Sequence, residues 1–160
     1  MSIVLAGIVN HGGGLVEDSQ LTGECLHLER EHFKNLTMGH VLVLDTKRYL
    51  ERQAKHSNAF NKIVLMSPDQ NQVRLGDSVC VVDNVQKVVA MSGSARVIVN
   101  GGAYLYSRFI NQPLVTVIYL TRVHTSAKAH EFFPVVRADS WEMRDYKSHP
   151  QIAFEMWIRK

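Results

Sequence analysis

Short runs of Val, Ile and Leu recur along this chain. They fall at residues 3–9 (IVLAGIV), 41–44 (VLVL), 63–66 (IVLM), 79–82 (VCVV), 97–99 (VIV) and 114–120 (LVTVIYL). A run that is apolar at nearly every position, rather than every second one, belongs to a strand covered on both faces. That is the habit of a parallel sheet. Between several of these runs lie stretches with helical spacing, at 26–36, 46–55, 84–91 and 103–111. Strands alternating with helices predict βαβ units and an α/β fold with a central, mostly parallel sheet flanked by about four helices. The last third differs. A polar stretch at 122–129 leads to Phe132-Phe133-Pro134, and then to apolar-polar segments at 141–147 and 152–159. These are read as extended strands, an antiparallel pair completing one edge of the sheet.

Composition bounds the partners. The 160 residues make one domain, 1–160. Eighteen Lys and Arg against fifteen Asp and Glu leave a net charge of +3. Without a dense basic face, no nucleic-acid partner is expected. At 46% hydrophobic and 21% charged residues, the chain is folded rather than disordered. No apolar run reaches the roughly 18 residues of a membrane span. The start carries no basic n-region, so no signal peptide is read and a cytoplasmic location is expected. Cys25 and Cys80 form neither a disulfide framework nor a metal motif. The eight histidines show no convergent spacing; His27 and Glu31 share a helical turn without a third ligand. No metal site is expected.

One carboxylate stands out. In the 26–36 stretch, LHLEREHFKNL, the helical arc that carries Leu26, Phe33 and Leu36 also carries Glu29. A carboxylate there faces the core or a pocket, and must be hydrogen-bonded, paired or protonated. The alternative is a Glu at the rim of that face, its stem packed and its head in water. Two glycine clusters also bear on function. Asn10-His11-Gly12-Gly13-Gly14 reads as a mobile loop, or as one whose backbone approaches something closely. Asn100-Gly101-Gly102-Ala103 follows a buried strand and starts a helix, a turn that can aim backbone N–H groups at a ligand. It is equally a plain tight turn. Lys47, Arg48, Arg52 and Lys55 cluster on one predicted helix, either to attract a phosphate or as a solvated face.

Taken in order, these segments resemble the dihydrofolate reductase family over the whole chain. The carriers are the first strand IVLAGIV, the helix segment LHLEREHFKNLTMG with its acid, aromatic, Lys and Thr-x-Gly, and VIVNGGAYLY. With them go IYLTRV, Phe133-Pro134 followed by Trp141, and the ending SHPQIAFEMWIRK. The resemblance implies reduction of dihydrofolate or a related dihydropterin by hydride transfer from NADPH. It implies roles too. Glu29 would hydrogen-bond the pterin's amino group and ring nitrogen, with Thr121 supporting it. Phe33 would pack on the pterin or its tail, and Ala6 would line the site through its backbone. Tyr106 would lie near the nicotinamide. Gly101, Gly102 and Ala103 would meet the cofactor phosphates across the family's cis Gly-Gly bond, with Thr46, Lys47 and Arg48 beside them. The partner would be a small pterin or folate, bound by a monomer.

The chain departs from the family in four places. Before the first helix, Leu21-Thr22-Gly23-Glu24 lacks the family's Trp. Where the family has Gly-Arg/Lys-x-Thr after the second strand, this chain has Asp45-Thr46-Lys47-Arg48. A carboxylate there would repel a pyrophosphate, which puts NADPH in question; Asp45 also reads as the N-cap of the 46–55 helix. Phe60 stands where the family's Arg would hold the folate glutamate. Asn100 replaces an apolar residue before Gly101. The sequence leaves three readings: a divergent reductase, a reductase of smaller pterins, or a non-catalytic relative binding a pterin-like ligand or a protein partner.

Overall fold

A computed structural model describes residues 3–54, 62–66, 79–91, 95–125 and 127–160, and the side chains within them except those of 52–54, 62 and 91. The stretch holding Phe60 and Lys55 lies outside the described residues. Among the described residues eight strands form one sheet. They are β1 (Ile3–Val9), β2 (Val41–Leu44), β3 (Lys62–Leu65), β4 (Val79–Val81), β5 (Val97–Val99), β6 (Val115–Val123), β7 (Trp141–His149) and β8 (Ile152–Arg159). The helices are α1 (Gly23–Thr37), α2 (Thr46–Ala54), α3 (Val85–Met91) and α4 (Ala103–Phe109), with a short 3-10 turn at Asp18–Gln20. The strand order is β4-β3-β2-β5-β1-β6-β8-β7. The six N-terminal strands run parallel, and β7 and β8 close one edge as an antiparallel pair. This is the α/β architecture the sequence predicts.

The apolar runs are buried on both faces because helices cover both. On one side Val4, Ala6, Leu42, Leu44, Ile63 and Ile98 pack with Phe33 and Leu36 of α1 and Tyr49 of α2. On the other Ile3, Leu5, Val43, Val64 and Val99 pack with α3 (Val85, Val88) and α4 (Leu105, Tyr106, Phe109). Each fully buried Val, Leu or Ile contributes roughly 1.5–3 kcal/mol. The outermost strand, β7, buries only Trp141. Its charged residues Glu142, Arg144, Asp145 and Lys147 blunt an edge that could otherwise pair with another chain.

Two details of the backbone set where α1 and β6 present their side chains. Helix α1 ends at Thr37 and turns at Gly39, whose φ of +79° is the left-handed conformation that closes a helix. The pairing of β6 with β1 shifts by one residue between Ile3↔Val115 and Val4↔Val117. That extra residue reverses the faces of β6. Val115 packs on the α4 side with Ile118 and Leu120, whereas Val117 and Tyr119 turn toward α1. Thr121 continues the second series.

Strand β6 also runs further than the apolar run at 114–120, through Arg122 to Val123, where it pairs with Val9 of β1 and with Ile152 and Ala153 of β8. Glu155 lies diagonally across from Arg122 on the same face. Arg122 Nε and Nη2 donate to the two oxygens of Glu155 at 2.7 and 3.1 Å. Trp157 Nε1 donates to the same carboxylate at 3.1 Å. Arg122 Nη1 reaches the carbonyl of Asn10 at 3.0 Å. That contact helps fix the glycine loop. Asn10 Oδ1 accepts the N–H groups of Gly12 and Gly14, each at 2.9 Å, and a Cβ on Gly14 would stand 2.3 Å from that of Ala129. The close-approach reading of that loop describes it; it is a hydrogen-bonded turn.

Candidate active site

Helix α1 lays Glu29 against the sheet, 6% exposed, opposite Thr121 of β6 at 2%. Thr121 Oγ1 donates to Glu29 Oε2 at 2.6 Å. Among the described residues no cation pairs with the carboxyl. Burial raises its pKa to about 8; the Thr121 hydrogen bond pulls it back and the nearby Asp18 charge adds to the rise. At neutral pH Glu29 therefore holds its proton. Of the two sequence readings for Glu29, the buried one describes the structure. Phe33, one turn on, packs at the margin of the cluster around Val4, Ala6 and Ile98, as does Tyr119. His32 beside it stacks on Phe154 at 4.4 Å between ring centres, and burial, with Lys147 nearby, lowers its pKa.

The β1 side of the site is backbone. The Ala6 carbonyl accepts the Tyr106 hydroxyl at 2.6 Å and the Asn100 amide Nδ2 at 2.9 Å. Asn100, out of place by the family pattern, thus finds its partner on the neighbouring strand. Tyr106 is fully buried, which pushes its pKa up and keeps the hydroxyl protonated. Its ring packs on Phe133 at 4.6 Å, and its hydroxyl leaves no room for a Cβ at Gly7, which would stand 2.8 Å away.

The third group surrounds the Gly-Gly turn. No peptide bond among the described residues is cis, so the link between Gly101 and Gly102 is trans, contrary to the sequence expectation. In this conformation the Gly102 N–H donates to Asp45 Oδ2 at 3.0 Å. Asp45 Oδ1 accepts the Arg48 backbone N–H at 2.9 Å, which makes it the N-cap of α2 as the sequence predicts. Arg48 Nη1 lies 3.2 Å from Asp45 Oδ2. Lys47 pairs with Glu17 of the turn before α1, and that contact holds the Glu17 carboxyl below its ordinary pKa. Thr46 is the one residue here left open: its Oγ1 is buried without a hydrogen-bond partner among the described residues. Ala103 opens α4 directly behind Gly102.

The structure therefore brings Glu29, Thr121 and Phe33 to one place, joins Tyr106 of α4 to Ala6 in the middle of β1, and sets Gly101 just past the end of β5. Thr46, Lys47, Arg48 and Gly102 form a second group. Sequence reasoning missed the buried Arg122–Glu155 pair, whose one signal was Glu155 among apolar neighbours. It also missed the bond from Asp45 to Gly102, which joins residues 57 apart.

Comparison with known proteins agrees with the fold and the family resemblance. The family model for dihydrofolate reductase matches residues 5–156. The dihydrofolate reductase of Bacillus subtilis is 25% identical over 137 residues, which cover 81% of this chain and 78% of that protein. That of Staphylococcus haemolyticus is 25% identical over 114 residues, 70% of this chain and 64% of its own length. Among solved structures, the dihydrofolate reductase of Enterococcus faecalis, complexed with NADP(H) and RAB-propyl, superposes with a TM-score of 0.76. It shares 18% identity and covers 99% of this chain and 96% of its own. With the fold shared end to end and the family model spanning nearly all of the sequence, the chain belongs to the dihydrofolate reductase family.

Proposed function

We propose that this chain reduces dihydrofolate, or a related dihydropterin, to the tetrahydro form with NADPH as the hydride donor. The observation that carries the reading is the buried, proton-holding Glu29 bonded to Thr121 at 2.6 Å. Reduction of the pterin C=N bond adds a hydride at carbon and a proton at nitrogen. The nicotinamide supplies the hydride; the protein's part is the proton and the alignment of the rings. Glu29, held by Thr121, hydrogen-bonds the pterin's amino group and ring nitrogen and keeps a proton in a pocket that water scarcely reaches. Phe33 packs against the ring or its tail. The Ala6 carbonyl, fixed by Tyr106 and Asn100, lines the end of the pocket toward the nicotinamide.

The dinucleotide side fits less well. Among the described residues Thr46 Oγ1 has no hydrogen-bond partner, and it could donate to a phosphate oxygen. Yet the Gly102 N–H, Arg48 and Lys47 are each engaged by carboxylates of the chain itself. As these side chains stand they do not receive a pyrophosphate. That observation favours a second reading, a family member that binds a pterin-like ligand without turnover.

One assay separates the two. Purified protein is mixed with NADPH and either dihydrofolate or a dihydropterin lacking the glutamate tail, and loss of the reduced nicotinamide is followed. Turnover supports the reductase. Stabilisation by methotrexate with no turnover supports the binding reading; neither effect sinks both. Within the reductase reading, Thr121→Val is expected to slow turnover about tenfold, the value of one lost hydrogen bond near 1.4 kcal/mol. Because that bond lowers the pKa of Glu29, its loss should also move the alkaline fall of the pH profile to higher pH.

A further inference from the structure

We infer that Asp45 is an internal competitor of the cofactor's phosphates, and so sets the affinity of this protein for its dinucleotide. The inference rests on the reading that a dinucleotide binds beside Gly101 and Gly102. Asp45 Oδ2 takes the Gly102 N–H at 3.0 Å and stands 3.2 Å from Arg48 Nη1, so one anionic oxygen uses both donors that an incoming phosphate would use. The space itself is crowded. A Cβ on Gly102 would meet Asp45 Oδ2 at 3.0 Å, Arg48 Nη1 at 3.2 Å and Glu131 Oε2 at 3.3 Å. Two carboxylates thus converge on the glycine with one guanidinium between them. A phosphate arriving there meets like charge from both, and must displace Asp45 from partners that already satisfy it. Lys47 offers no easy replacement, since it is paired with Glu17.

The carboxylate has two separable functions. Its Oδ1 caps α2 through the Arg48 N–H at 2.9 Å, while its Oδ2 closes the Gly102 cradle. Asp45→Asn keeps an oxygen for the cap but turns an amide N–H toward Gly102 and Arg48, where both neighbours are donors. It cannot hold the closed arrangement. Asp45→Ser keeps the cap and removes the second oxygen altogether.

The test is NADPH affinity, measured by titration calorimetry on wild type and both variants, with melting temperature and methotrexate affinity as checks on the fold and the pterin pocket. Both variants should bind NADPH at least tenfold more tightly than wild type, with methotrexate affinity unchanged. Folded variants whose NADPH affinity is equal to or weaker than that of a wild type that turns over would overturn the role of Asp45 and leave the reductase reading standing. If wild type and variants alike ignore NADPH at millimolar concentration while binding methotrexate, the role of Asp45 and the reductase reading both fall.

Discussion

On the proposed reductase reading, Glu29→Gln should lose turnover by a factor of about 10²–10⁴, the range for removing a positioned acid–base group, while the protein should become more stable in alkali. Both effects come from one buried proton. In the unfolded chain the carboxyl ionises near 4.5; in the folded chain, near 8. Below about pH 4.5 both states hold the proton and Glu29 makes no difference. Between those values the folded state keeps a proton that the unfolded state has released, so stability declines by about 1.4 kcal/mol per pH unit. Above about pH 8 the full loss, on the order of 4–5 kcal/mol, is present. Glutamine keeps an oxygen for Thr121 and carries no charge. Its melting temperature should match wild type near pH 4 and exceed it by roughly 10 °C near pH 9. Wild-type turnover should fall as pH rises through about 8. Melting curves that stay parallel across this range would remove the raised pKa from the account. Undiminished turnover in the variant would remove Glu29 from the chemistry.

The second large effect is structural. Glu155 is 5% exposed and is held by Arg122 and by the Trp157 N–H. Arg122→Leu leaves a buried carboxylate with a single neutral donor, and should cost about 3 kcal/mol. For a domain of this size that is a fall of roughly 6–12 °C in melting temperature. The Asn10 carbonyl loses its guanidinium contact in the same variant, so the glycine turn should become easier to cut with protease. Replacing both partners, Arg122→Leu with Glu155→Leu, should recover part of the loss because no charge is then stranded. A single variant that melts within about 3 °C of wild type would show the pair to be unimportant.

How much of this could be read from sequence depended on distance along the chain. The strands were readable because VLVL, VIV and IVLAGIV are apolar enough to need cover on both faces, and helices supply it. Glu29 was readable because its misfit with Leu26, Phe33 and Leu36 lies within one helix. The N-cap function of Asp45 was readable for the same reason, since its partner is three residues away. The reach of Asp45 to Gly102 was not, because it depends on β2 and β5 lying side by side. The facing of Thr121 came only from the family resemblance, because it turns on the register shift near Val115, which no local residue type announces. The apolar run at 114–120 understated β6, which continues through Arg122 and Val123 into the stretch read as polar. Pairing with Val9 of β1 on one side and Ala153 of β8 on the other makes Arg122 a strand residue.

The place of β1 in the sheet has a bearing on how this protein comes to be active in a cell. Strand β1 lies between β5 and β6, and Glu29 of the helix that follows it meets Thr121 only after 92 further residues have been made. Until β5 is made, β1 lacks both of its sheet neighbours, and until β6 is made one edge stays open; an open apolar edge is a liability to aggregation. Strand β6 in turn stays open on one side until β8 arrives. The buried acid is thus assembled among the last contacts of a slow, long-range pairing. A tight pterin ligand present during refolding would mark completion of the fold, and nascent chains arrested before β6 should depend on chaperones for their solubility.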